Sequence, residues 1–185
     1  AWDVFVRYRQ VSQTVRASVA TDGAQADADS GAPAISGSGF QVAFASLATN
    51  LVGGDTNGVS DIFVRDLATA QTHRLSLASD GTQANGDCAR PSISGDARFV
   101  VFESAATNLV SGDTNNQVDI FLRDRETDET IRMNLASDGS QANGGSCCAT
   151  ISSDGRLVTF TSEADNLVAG DTNGVADVFL HDRVA

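Results

Sequence analysis

Residues that announce chemistry are scarce in this chain. It has two histidines, three cysteines, and one each of methionine, tryptophan and tyrosine. No HExxH, GxSxG, Walker loop or Cys–His pairing at a workable spacing occurs, so none of the motif-bearing hydrolase, metalloprotease or nucleotide-binding classes is indicated. No run of about 18 apolar residues exists, which excludes a helical bilayer span. Helical spacing of apolar residues nowhere persists over about 11 residues. Basic residues are few as well: 12 against 24 acids give a net charge of −12. Such a balance repels phosphate backbones and anionic lipid, arguing against nucleic acid as a partner and for cation binding. The opening AWDVFVRYRQ shows neither an initiator methionine nor a leader-like block, which reads as a cleaved leader or an excerpt and points to a secreted or periplasmic protein. Cys88, Cys147 and Cys148 lack CxxC spacing and are odd in number. They read as small, partly buried thiols, with a vicinal Cys147–Cys148 disulfide or a cross-link from Cys88 as the alternatives.

What the chain has in abundance is repetition. GDTNGVSDIF at 54–63 returns as GDTNNQVDIF at 112–121 and GDTNGVADVF at 170–179. Asp3, Asp61, Asp119 and Asp177 fall 58 residues apart, as do Ile35, Ile93 and Ile151, with no gap needed. A strict period of this length signals a solenoid, propeller or array. The units run 3–60, 61–118 and 119–176, with a partial fourth at 177–185, all within one domain, 1–185. In the middle unit four strands are predicted: PSIS at 91–94, FVVFES at 99–104, DIFLRD at 119–124 and TIRMNLA at 130–136. These runs are rich in Val, Ile, Phe and Thr and bounded by Gly and Asp. Val100 and Phe102 fall on one side of their strand and Val101 on the other, and the same holds for Val42, Phe44 and Ala43 and for Val158, Phe160 and Thr159. A strand apolar on one face and mixed on the other fits a sheet packed between sheets, as blades are in a propeller. The fold class is all-β, of four-stranded antiparallel blades. Strands three and four stand at the N-terminus and strands one to three at the C-terminus, which makes 13 strands, about three blades.

The runs SISGDARFVVFES followed by DIFLRDRETDETIRMNLAS, and ISSDGRLVTFTS followed by DVFLHDR, resemble the blade signature of TolB-type (WD-repeat-like) β-propellers. The resemblance covers essentially the whole chain and implies a fold more than a function, since such blades serve as docking modules, as lids beside hydrolase sites and as ligand carriers. Three blades do not close a ring. Two copies closing a six-bladed ring as a homo-oligomer, or a longer propeller of which this is a piece, would cover the open faces.

Strand alternation puts the loop from strand two to three and the loop from strand four to the next strand one on the same face. Both are long, so a protein or small-ligand surface is expected there. Within the first loop, Asp55, Asn57 and Asp61 stand at relative positions 1, 3 and 7, repeated as Asp113, Asn115, Asp119 and as Asp171, Asn173, Asp177. Closely spaced carboxylate and amide oxygens suit calcium. The pattern is a shortened relative of DxDxDG loops. It lacks the first acid and the terminal glutamate, and Gly58 becomes Asn116. Alternatively, the same side chains close Asx-turns with no ion. Asn50, Asn108 and Asn166, each followed by Leu-Val, read as loop anchors. The dipeptides Arg65–Asp66, Arg123–Asp124 and His181–Asp182 read as surface or inter-blade ion pairs, and His73 and His181 as plain strand residues. Trp2 and Tyr8 read as edge packing or a chain contact. An active site needs one asymmetric constellation, whereas these carboxylates recur in every unit, so no catalysis is expected. A propeller fragment of a larger enzyme and a multivalent lectin are the competing readings.

Overall fold

A computed structural model describes residues 1–184, and its regular structure is antiparallel strand throughout. An N-terminal hairpin, β1 (Phe5–Tyr8) and β2 (Gln13–Arg16), is followed by the four-stranded sheet β3 (Ser30–Ile35), β4 (Gln41–Ser46), β5 (Asp61–Asp66) and β6 (Gln71–Arg74). The second such sheet holds β7 (Cys88–Ile93), β8 (Phe99–Ser104), β9 (Asp119–Asp124) and β10 (Glu129–Arg132); β11 (Ser146–Ile151), β12 (Leu157–Ser162) and β13 (Asp177–Asp182) form a three-stranded one. Number and order of strands agree with the sequence pattern, but two boundaries differ. Strand one begins at Cys88 rather than 91, because a bulge between Ala89 and Ser92 lets the ladder continue beyond Pro91. Strand four ends at Arg132, four residues short of the TIRMNLA run, because the chain then turns to bridge Leu135 with Gln141.

The predicted two-faced strands place the core between sheets. Phe44 lies opposite Phe63, Phe102 opposite Phe121 and Phe160 opposite Phe179. Each pair stacks, at 5.9, 6.1 and 5.6 Å between ring centroids. The phenylalanine side of each sheet meets the aliphatic side of the sheet before it. Ile62, Val64 and Leu75 pack on Val100, Phe102 and Phe121, while Ile120, Leu122 and Met133 pack on Val158 and Phe160. Val4 and Ala17 of the hairpin cover Val42, Phe44 and Phe63 in the same way. Each such side chain buried contributes about 1.5–3 kcal/mol, so the interfaces rather than single sheets stabilise the array.

The sheets fan. First strands lie side by side in series, β3 against β7 and β7 against β11. Their short turns touch through backbone: Gly37 N–H donates to Gly95 O at 3.0 Å and Gly95 N–H to Ser153 O at 2.8 Å. A Cβ on Gly37 would stand 3.0 Å from that carbonyl, hence the glycine. At the outer edge each fourth strand hooks onto the preceding unit's loop, with Thr72 Oγ1 donating to Val19 O and Thr130 Oγ1 to Leu77 O, both at 2.6 Å. Among the described residues no helix is long and apolar enough to cross a membrane.

Candidate functional site on the long-loop face

The loops 47–60 and 75–87 leave the same end of their sheet and are hydrogen-bonded to each other. Gln83 Nε2 donates to Gly54 O at 2.7 Å and its Oε1 accepts from Thr56 N–H at 3.2 Å; Gln141 repeats both bonds to Gly112 and Thr114. The asparagine anchors tie each of these loops to the next unit. Asn108 Nδ2 donates to Gln83 O at 2.8 Å while its Oδ1 accepts from Asn85 N–H at 3.0 Å. Asn50 and Asn166 do the same to residues 25 and 27 and to 141 and 143. Leu51, Leu109 and Leu167 are buried beneath them. Asp22, Asp80 and Asp138 close the Asp-Gly turns by accepting from the backbone two residues on, each at 2.9 Å. Bonds from Thr82 and Ser140 hold the exposed Asp80 and Asp138 carboxyls below the usual carboxylate range. The face is therefore stiff and anionic.

Within it, the first two Asp-x-Asn sets are organised around an arginine. Arg74, on β6, lies between Asp55 and Asp61, with Nη1 3.0 Å from Asp55 Oδ1 and 3.2 Å from Asp61 Oδ2. Asn57 Nδ2 donates to Asp61 Oδ2 at 2.9 Å and to Ala84 O at 3.0 Å, and its Oδ1 accepts from Val59 N–H in an Asx-turn. Ser76 Oγ donates to the other oxygen of Asp61. The middle unit repeats this with Arg132 beside Asp113 (2.9 Å) and Asp119 (3.5 Å), and with Asn115 and Asn134 donating to Asp119. There the guanidinium and Asp113 Oδ1 are buried off hydrogen-bond geometry, so the attraction is that of charges. Burial pushes the carboxyls of Asp55 and Asp119 up, and the arginine opposes it. In the third set Asn173 donates to Asp177 at 2.8 Å and turns on Val175 N–H, and Asp171 and Asp177 have no arginine among the described residues. Gly58 and Gly174 have φ of 68° and 67°, and Asn116 takes the same left-handed conformation at 53°, which accounts for the Gly-to-Asn exchange.

The arginine was legible in principle. Arg16, Arg74 and Arg132 share the 58-residue period, but each stands on a strand apart from the oxygen-rich loop. The dipeptide ion pairs form with other partners, because successive strand residues point to opposite faces. Arg65 Nη1 donates to Ala20 O of the preceding unit at 3.1 Å, and Arg123 pairs with Asp128 at 2.7 Å. Asp124 is bound by Arg98 at 2.7 Å, and Asp182 by Arg156. His73 is exposed on β6 and His181 half-buried on β13. Trp2 is exposed, its backbone N–H donating to Asp29 Oδ1. Among the described residues no cluster of three or more His, Cys, Asp or Glu side chains is arranged to hold a metal. All three cysteines are free thiols. Cys88 stands at the place of Ser30 and Ser146, donating to Ser104 at 3.1 Å, and burial pushes its thiol up to about 12.

No family model and no curated protein matches the sequence. Among solved structures, TolB from Acinetobacter baumannii superposes with a TM-score of 0.56 at 18% identity, over 98% of this chain and 35% of that one. A putative TolB from Agrobacterium tumefaciens gives 0.51 at 19% identity, over 81% and 44%. The tricorn protease gives 0.56 at 13% identity, over 95% and 15%. The chain has the TolB-like β-propeller fold. It spans less than half the length of each of these structures, and at such identities the likeness carries fold and nothing of activity.

Proposed function

We propose that the chain is a non-catalytic β-propeller module that binds a partner through its long-loop face. The observation that carries this reading is the knitting of the two long loops by Gln83, Gln141 and the asparagine anchors. That bonding pre-organises a broad, repeated anionic surface, and a rigid surface loses little entropy on binding. The recurring carboxylates of the first two Asp-x-Asn sets are engaged by arginines and those of the Asp-Gly turns by backbone amides, not aimed at a shared centre. The partner chemistry that fits is a protein surface bearing positive charge. In extracts of the source cells, proteins cross-linked to the wild-type chain should be lost with D80R/D138R and kept with E129R, at an exposed residue near the opposite face. Equal capture by all three overturns the loop-face assignment. Turnover of peptide, ester or glycoside substrates by the purified chain overturns the non-catalytic one.

Under the same reading the open sides are covered by more of the same fold, in a second copy of the chain or in further blades. Phe5 on one side and Val178 and Leu180 on the other are exposed where their counterparts are core. A solution mass of about twice 19.2 kDa supports pairing. The calcium expectation narrows to Asp171, Asn173 and Asp177, the set without a guanidinium. Calcium should raise the Tm of the wild-type chain and not of D171N/D177N; no shift in either removes the ion from the account.

A further inference from the structure

We propose that Cys147 and Cys148 form a two-electron redox site, a dithiol that small disulfides convert to a vicinal disulfide. The inference begins from backbone shape. Neighbouring residues on a regular strand point to opposite faces, so adjacent thiols there do not meet. Here β11 is bulged: its ladder to β12 slips between Cys147 and Thr150, and Cys148 has a φ of 61°. The two sulfurs stand 2.9 Å apart. The bulge does not come from the cysteines. It recurs between Gly31 and Ala34 on β3, where Ala32 has a φ of 48°, and between Ala89 and Ser92 on β7, where Arg90 has a φ of 47°. Every first strand therefore carries the bend, and only the third fills it with Cys-Cys rather than Gly-Ala or Ala-Arg.

Recurrence elsewhere in the chain argues for scaffold, and this is a place where one unit departs chemically from the others. Its surroundings are also distinct. Arg90, from the neighbouring first strand, places a guanidinium nitrogen 3.9 Å from Cys148 Sγ and is itself held by Glu103 at 3.0 Å. Cys147 lines a cavity of about 260 Å³ with Glu103, Ser146, Thr161 and Glu163. Cys148 is exposed and Cys147 half-buried behind it. Cys148, the more exposed sulfur and the one beside Arg90, is the one that attacks first, and the hydrogen bond with Cys148 pushes the Cys147 thiol up to about 11.

The chemistry is thiol–disulfide exchange. Cys148 Sγ, beside Arg90, attacks one sulfur of a small disulfide RSSR as its thiolate; the S–S bond breaks and RS⁻ leaves, taking up the proton that Cys148 gave up. Cys147 Sγ then attacks Cys148 Sγ in the mixed disulfide, expelling the second RS⁻, which takes the Cys147 proton. Two thiols are oxidised, one RSSR is reduced to two RSH, and the protein loses two hydrogens.

The test is direct, because tryptic cleavage at Arg132 and Arg156 isolates both cysteines on peptide 133–156, apart from Cys88. Native protein is treated with 2-hydroxyethyl disulfide, an uncharged probe, then alkylated and digested. Peptide 133–156 should lose both alkylatable thiols together and become lighter by two hydrogens. C147S should instead accumulate one mercaptoethanol adduct on Cys148, and R90A should oxidise several-fold more slowly while C88S is unchanged. Two alkylatable thiols surviving treatment, or two independent adducts on the wild-type peptide, would overturn the proposal. C147S and C148S circular dichroism and Tm report folding separately.

Discussion

The middle and last units carry the same pattern and live in different surroundings. Ile120 and Leu122 are 0% and 1% exposed; Val178 and Leu180, one period later, are 77% and 62% exposed. Arg132 lies between Asp113 and Asp119, whereas Asp171 and Asp177 face no arginine among the described residues. Even the stacked phenylalanine pair persists in both, at 6.1 and 5.6 Å. The difference shows what belongs to a unit and what to its neighbours. Strand pairing and aromatic register are made within the sheet; burial of the aliphatic face needs the next sheet, and neutralisation of the Asp-x-Asn loop needs the fourth strand.

The arginine offers the sharpest way to break that comparison. R132A leaves two carboxylates with side chains at most 2% exposed and without a counter-charge. Removing one partner of a buried pair costs about 3–5 kcal/mol, to be read as a lower urea midpoint at unchanged slope. Adding D113N should recover much of the loss by removing the repulsion. D171N in the last unit has no guanidinium to orphan and should stay within about 0.5 kcal/mol. Equal costs for R132A and D171N would mean that the clamp adds nothing to the middle unit.

Truncations of the aliphatic face come next in size. L122A empties space between two sheets and should cost about 2–5 kcal/mol. L180A, at the same place in the repeat, should cost under about 0.5 kcal/mol in dilute protein. Its cost should climb toward that of L122A wherever a second copy covers β13, so the L180A penalty measured against protein concentration reports coverage of this face. A concentration-independent L180A cost as large as that of L122A would show that the side chain is already packed in the isolated chain.

Most of the fold was legible because its signals are local and triply written. Val100 and Phe102 on one side and the mixed set Ala43, Val101 and Thr159 on the other pointed to sheets packed between sheets, and the 58-residue period to units, strand order and the shared loop face. Boundaries slipped where a non-local event intervened: the bulge at Arg90 extended strand one past a proline, and the bridge from Leu135 to Gln141 cut strand four short. The loop anchors were legible, since Asn-Leu-Val combines a bonding group with a burying one. The guanidinium between Asp55 and Asp61 was not, because Arg74 lies 13 residues beyond Asp61 on a different strand. Strand alternation alone places Arg123 and Asp124 on opposite faces. Likewise, no strand rule puts Cys147 against Cys148, which takes the bulge.

The smallest effect separates the same two units by acid. Arg98 binds Asp124 through Nε and Nη2 and, with backbone amides, holds its carboxyl down to about 2 against an ordinary 3.8. A carboxyl lowered on folding binds fewer protons in the native chain than in the unfolded one. Its stabilisation is therefore complete above about pH 4 and is lost as pH falls from there toward 2. Because Arg98 is 38% exposed, solvent screens the pair, and D124N should cost on the order of 1 kcal/mol at neutral pH. D124N should also flatten the decline of Tm between pH 4 and 2, the range over which the wild type loses the interaction. Asp182 is held down to about 2 by Arg156 in the last unit, but both groups are more exposed than their middle-unit counterparts, so D182N should change the acid limb less. A D124N profile parallel to the wild type would locate the acid sensitivity elsewhere, and a D182N effect equal to that of D124N would show that this ion pair, unlike the aliphatic face and the arginine clamp, is complete within a single sheet.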